Sequence, residues 1–250
     1  MRNYFLQAIV YFSFVTFLFS CSKDDNSSMA TTGGKITGQV QVWNDKTTSL
    51  SDRSGVTVTI DNLTGKTATT DADGRFTFDD IPFDSYNLSF AKSGYGTTKI
   101  FGIQHNSSAA VTTVPLVQFG AVCGTSVTAF SYSGNTYNGV PGASYTYSFN
   151  PAPNSTNRAY TRVFVSTDAT VSNTNYVDFT DLKSASNNNV TGWLTADELY
   201  GMGFNSGQTV FARLYADSFK SNEYVDPATG KTVFPNLNTT TTAAISFIVP

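Results

Sequence analysis

Chemistry in this sequence would have to come from very few side chains. The single histidine, His105, lies in Gln104-His105-Asn106-Ser107, a stretch that reads as a solvated turn. A Ser–His–Asp mechanism would need that imidazole beside a nucleophile on a strained strand-to-helix elbow, and no such elbow accompanies it. Zinc is held by closely spaced His and Cys, which one His and two distant Cys (Cys21 and Cys123) do not supply. Glutamate occurs only as Glu198 and Glu223, so a carboxylate pair for glycoside hydrolysis would rest largely on Asp brought together in three dimensions. Asp71 and Asp73, with Asp79, Asp80 and Asp84 nearby, offer oxygens to calcium. Their spacing completes no six-to-eight-oxygen loop and lacks a bidentate Glu, and a hairpin turn alone accounts for Asp73-Gly74. Gly201-Met202-Gly203 is the nearest approach to a phosphate loop, but it falls at a helix end rather than between a strand and a helix. The expectation is a non-enzyme with no catalytic residue, no metal and no cofactor.

Binding fits the inventory better. Aromatic planes suit sugar rings, and Trp43, Tyr137 and Trp193 are the candidates for glycan contacts, although each residue type serves equally in a core or a strand pair. The 250 residues are 40% hydrophobic and only 13% charged, with a net charge of -3. The charged fraction is well below the ~25% of ordinary soluble domains, and Thr, Ser, Asn, Gly and Tyr supply the polarity. No cluster of Lys and Arg is available to neutralise phosphates, which argues against nucleic acid as a partner. Two cysteines do not make a disulfide framework, and Cys123 reads as a buried small apolar residue. The Asn-x-Ser/Thr triplets at Asn62, Asn87, Asn106, Asn154 and Asn189 read as products of an Asn- and Thr-rich composition.

The elements that must position these residues begin with a leader. Met1-Arg2-Asn3 is followed by an apolar run from Phe5 to Phe19 and then Ser20-Cys21, the pattern of a secretory signal peptide over residues 1–20. The run spans about 22 Å as a helix, short of a ~30 Å hydrocarbon core, so a membrane span is the weaker reading. Leu18-Phe19-Ser20-Cys21 resembles the lipobox of bacterial lipoproteins, with a bulkier Phe19 than usual. The resemblance implies lipidation of Cys21 and membrane attachment, because two or more acyl chains anchor stably where one does not. Lys23-Asp24-Asp25 resembles a lipoprotein surface-export signal, which implies an outer-membrane location facing the cell exterior. The polar stretch 21–34 then serves as a flexible tether.

From Lys35 the apolar period becomes two. Ile36, Gly38, Val40 and Val42, then Val56, Val58 and Ile60, then Phe76 and Phe78, then Tyr86, Leu88 and Phe90 each mark one face of a short strand. Gly-containing turns at Ser54-Gly55, Thr64-Gly65, Asp73-Gly74 and Ser93-Gly94 separate them. Strands this short and this frequent predict an all-β sandwich. Asp73-Gly74-Arg75-Phe76, Ile81-Pro82, Tyr86-Asn87-Leu88 and Gly94-Tyr95 resemble the carboxypeptidase regulatory-like domain, a transthyretin-like sandwich related to Cna-B repeats; Asp84 stands where that family has Gly. The domain is expected over 35–119, and its lack of Glu argues against a Cna-B-type Lys–Asn crosslink.

A second sandwich is expected over 120–250. Tyr145, Tyr147 and Phe149 alternate, the runs 160–166 and 208–217 follow the same rule, and 244–249 closes the chain. Thr195-Ala196-Asp197-Glu198 is a capping box that predicts a short helix to about Met202. The strand Gln208 to Asp217 resembles the central strand of a fibronectin type III-like module. Pro227-Ala228-Thr229-Gly230 reads as the turn of an inserted hairpin. The function expected from all this is a surface lipoprotein that binds or adheres to glycans or protein partners. The alternative is a structural spacer of an envelope complex with no small-molecule ligand.

Overall fold

Strands with one apolar face must close in pairs of sheets, and the computed structural model, which describes residues 33–107 and 110–250, does this twice. The first eight strands are β1 (Gly33–Trp43), β2 (Thr57–Ile60), β3 (Thr67–Thr69), β4 (Arg75–Pro82), β5 (Asp84–Ala91), β6 (Thr98–His105), β7 (Val111–Thr113) and β8 (Val117–Gly120). One sheet has the order β4-β1-β7, with β8 also pairing β1; the other has the order β3-β2-β5-β6. β1 is antiparallel to β4 and parallel to β7 through Lys35–Thr37, then parallel to β8 through Val40–Trp43. Phe83 alone separates β4 from β5, so the chain crosses between sheets there. Ile36, Val40 and Val42 meet Val58, Ile60, Leu88 and Phe90 in a shared core, as their alternation requires.

The histidine departs from expectation. His105 ends β6 and is 1% exposed rather than solvated in a turn. Its Nδ1 lies 2.7 Å from the Thr112 hydroxyl, its Nε2 3.2 Å from the Ile81 carbonyl, and the Phe83 ring centroid is 4.9 Å away. The imidazole is a clasp between strand ends, with both nitrogens engaged.

The remaining strands are β9 (Ser126–Tyr137), β10 (Val140–Asn150), β11 (Ala159–Ser166), β12 (Asp178–Phe179), β13 (Lys183–Ala185), β14 (Val190–Thr195), β15 (Thr209–Asp217), β16 (Tyr224–Val225), β17 (Thr232–Val233) and β18 (Ile245–Ile248). A sheet of order β14-β10-β9 faces one of order β12-β11-β15-β18, in which β13 also pairs β11. Tyr145, Tyr147, Phe149, Val163, Val210 and Leu214 fill the space between them. The single helix among the described residues, α1 (Ala196–Gly201), carries the predicted capping box and plugs Leu199 into that core. β16 and β17 form the predicted hairpin.

β11 does not alternate between core and solvent: all eight of its residues are buried. Val163 and Val165 face the other sheet, while Phe164 enters a second cluster on the opposite side with Val171, Tyr215, Phe234 and Leu237. Loops around 171–180 and 234–237 cover the sheet's outer face, so this half of the molecule has three layers. Arg162 is buried in the outer layer. Its Nε donates to Asp217 at 2.9 Å, its Nη2 donates to Glu223, and its guanidinium lies 5.0 Å from the Phe234 ring centroid.

The two apolar cores meet through polar contacts. The Phe219 N–H donates to the Asp45 carbonyl at 3.1 Å, the Gly124 N–H to Asp45 Oδ2 at 3.1 Å, and the Lys46 ammonium to the Thr125 hydroxyl at 2.7 Å. Cys123 is buried, and burial pushes its thiol up to about 11, so it packs as an apolar group.

Candidate functional site

The strands bring two of the three candidate aromatics together. Tyr137 ends β9 and Trp193 lies on β14, the two outer strands of the sheet centred on β10. Their rings stack at 4.2 Å with only 7° between planes, and Trp193 remains 44% exposed. Register explains the support beneath. Ser144 of β10 pairs with Trp193 on one side and Gly134 on the other, and its hydroxyl donates to the Gly134 carbonyl at 3.0 Å. Trp43 lies elsewhere, half-buried on β1. Its ring meets Phe219 at 5.8 Å and its Nε1 donates to Gln118 Oε1 at 2.7 Å.

Beside Trp193 opens a cleft of about 290 Å³. It lies between the edges of the two facing sheets, where β14 borders β10 and β13 borders β11. Tyr145 and Tyr147 form one wall, Val163 and Val190 supply apolar surface, and Lys183, Ser184, Thr191 and Glu198 add polar groups. Gly192 is required here, because a Cβ on it would overlap the ring of Tyr145, its cross-strand partner. Burial pushes both tyrosine phenols above their ordinary range, with the Thr161 hydroxyl opposing this at Tyr147. Both phenols therefore stay protonated and able to donate hydrogen bonds. Glu198 is occupied: its Oε2 accepts from the Thr195 N–H at 2.8 Å and lies 3.1 Å from the Thr195 hydroxyl.

Little in the sequence points to this cleft. Lys183, Thr191 and Glu198 come from strands of the two facing sheets and from a helix, which meet only in the folded chain. The signal available was limited to Trp193 itself and to the adjacent Gly192, a glycine within a strand pattern.

The acidic stretch of the first sandwich forms a turn. Asp71 Oδ1 accepts the N–H groups of Asp73 at 3.0 Å and Arg75 at 2.8 Å. Among the described residues, no group of three or more His, Cys, Asp or Glu side chains is placed to hold a metal ion. Cys21, Lys23, Asp24 and Asp25 lie outside the described residues.

The molecule is an all-β protein of Ig-like sandwiches. Residues 35–117, about a third of the chain, match the family model described as the carboxypeptidase regulatory-like domain. No curated protein matches the sequence. A chain of a type II cohesin–X-dockerin complex from Acetivibrio cellulolyticus is similar at 24% identity, covering 36% of this chain and 58% of that one, with a TM-score of 0.30. This chain thus aligns with less than two thirds of that structure. A Bacteroides uniformis protein provisionally described as carbohydrate binding shows 13% identity over 86% of this chain and 100% of its own, with a TM-score of 0.31. A DUF3823 family protein from Bacteroides ovatus shows 12% identity over 87% and 100%, with a TM-score of 0.29.

Proposed function

We propose that this chain is a non-enzymatic, lipid-anchored module of the outer membrane that holds glycans at the cell surface through Trp193 and Tyr137. The observation carrying the proposal is the parallel Tyr137–Trp193 stack on the exposed face of the β14-β10-β9 sheet, on a strand that also borders a cleft. An exposed indole costs solvation unless something covers it, and the C–H face of a sugar ring is a natural cover. Stacking on Tyr137 fixes the indole plane before ligand arrives, which lowers the ordering cost of binding. The cleft alongside offers hydroxyl and phenol donors over an apolar floor, the mixture that orients a polyol. In this reading 35–119 and 120–250 are separate domains, the second of the fibronectin type III-like kind. Cys21 carries the lipid, and Lys23, Asp24 and Asp25 direct export.

A glycan array probed with the purified protein and with Trp193→Ala tests the proposal. Wild type should bind a restricted set of glycans, and the variant should lose them while melting within about 2–4 °C of wild type, the shift expected for ~1 kcal/mol. Absence of glycan binding, or equal binding by the variant, would refute it.

A further inference from the structure

We infer that the cleft takes the acetamido group of an N-acetylated sugar, with the Tyr145 phenol donating to its carbonyl oxygen; this rests on the glycan reading above. Positions alternate along β14, so Val190, Gly192 and Leu194 face the core while Trp193 faces outward. β14 is the last strand of its sheet, and only its width separates the aromatic stack from the cleft. That width is about 5 Å, the spacing of neighbouring strands. A sugar lying over the stack therefore reaches the cleft by turning one substituent around the edge of β14.

What such a substituent meets is a buried donor. Tyr145 is 5% exposed and lines the cleft. Burial pushes its phenol above the ordinary range, the Tyr147 phenol and the Glu198 carboxylate add to the rise, and no hydrogen bond opposes it. Tyr147 differs, because the Thr161 hydroxyl engages it. The Tyr145 O–H thus stays protonated, has no acceptor among the described residues, and opens onto the cleft. A ligand that enters must offer an acceptor there or leave the donor stranded. Val163 and Val190 line the same space with apolar surface. A hydroxyl would accept the bond but leave the valines unmatched. An acetamido group answers both, its carbonyl oxygen accepting and its methyl covering the valines. Charge is balanced, since Lys183 and Glu198 both line the cleft and both are exposed, which suits a neutral group. The capping contacts of Glu198 use Oε2, leaving Oε1 to accept from the amide N–H. The volume of about 290 Å³ lies at the bottom of the roughly 300–1,000 Å³ range of small-molecule clefts, enough for a substituent and part of its ring.

Purified full-length protein in detergent would be titrated calorimetrically with trisaccharides of N-acetylglucosamine and of N-acetylgalactosamine. Each is paired with a counterpart bearing hydroxyls in place of the acetamido groups. At least one acetylated trisaccharide should bind tenfold or more tightly than its counterpart. Tyr145→Phe keeps the ring and removes only the hydroxyl, and it should cut that preference to threefold or less. If Tyr145→Phe fails to fold, saturation-transfer NMR on wild type decides. The acetyl methyl should then receive the largest saturation of any ligand proton, and a methyl no more saturated than the ring protons overturns the inference. Equal affinity within both pairs, or a preference that survives Tyr145→Phe, overturns the inference and leaves glycan binding standing. If no trisaccharide binds, the inference falls, and the glycan array decides the parent reading separately.

Discussion

Asn222 and Gly120 exchange hydrogen bonds across the junction of the two cores. The Gly120 N–H donates to Asn222 Oδ1 at 2.7 Å, and Asn222 Nδ2 donates back to the Gly120 carbonyl at 2.9 Å. A side-chain amide thereby acts as the strand partner that Gly120 lacks on that side. The same Nδ2 donates to the Gly96 carbonyl at 2.6 Å, while the Gly96 N–H donates to Asn236 Oδ1 at 2.8 Å. Asn222 reaches this position with φ of 55°, a left-handed conformation that Asn tolerates better than most residues. Gly120 has no room for a Cβ, which would overlap the Lys220 carbonyl.

Asn222→Ala should therefore strand a buried N–H and the Gly96 carbonyl. The expected loss is about 2–3 kcal/mol, or on the order of 5–10 °C in melting temperature. Asn222→Asp should be worse, because the carboxylate cannot donate and brings a charge into the junction. Thermal melts of both variants check this, and a loss under 1 °C for Ala would show the junction to be solvated.

Asp217 should give stability an unusual dependence on pH. Burial pushes its carboxyl up to about 6, against the opposing pull of Arg162. An unfolded Asp titrates near 3.9. Between those values the folded protein binds a proton that the unfolded chain does not. Stability from this group is thus fully present below about pH 4 and is lost as pH rises through about 6. Relative to Asp217→Asn, wild type should gain on the order of 1–3 kcal/mol as pH falls from 7 to 4.5. Parallel denaturation profiles of the two proteins across that range would contradict it.

Gly192→Ala should damage the cleft directly. The added methyl meets a Tyr145 ring already packed against Phe130 at 5.3 Å and Tyr147 at 5.9 Å, so the ring has little freedom to retreat. Overpacking of this kind costs about 1–3 kcal/mol. The near-ultraviolet circular dichroism of the tyrosines should change, and glycan affinity should fall. An unchanged spectrum would mean that the strand shifts to make room.

The anchor is tested in cells. Cys21→Ala should move the protein to soluble fractions, because the acyl chains supply the attachment. Replacing Lys23, Asp24 and Asp25 with Ala should leave it lipidated but protected from protease added to intact cells. Retention of the first variant after carbonate washing, or equal shaving of the second, would contradict the respective assignments.

The fragment Gly33–Phe119 should melt cooperatively on its own, with strand-type circular dichroism. Its apolar cluster, from Ile36 to Phe119, is made entirely of its own residues. Loss of the contacts from Asn222 and Asn236 should leave it less stable than the same residues in the full chain. An insoluble fragment, or one without a transition, would refute a domain boundary near residue 120.

The sequence alone determined the elements. Period-two runs such as Val56, Val58 and Ile60 specify which side of a strand is apolar, Asp-Gly and Ser-Gly pairs specify where it turns, and Thr195 with Glu198 specifies where the short helix α1 begins. These signals are local, because they depend only on backbone conformation and on neighbours a few residues away. Tertiary structure decided what covers each face. β11 carries Arg162 and Phe164 on the side away from the core between the sheets, and only distant segments bury them. His105 looks like a turn residue until β1, β4 and β7 close around it. Tyr137 and Trp193 become a stack, and Tyr145 and Tyr147 become the wall of a cleft, through the registers of β9, β10 and β14 and the pairing of β13 with β11. Register and pairing are properties of strands in combination, so no single stretch of sequence encodes them.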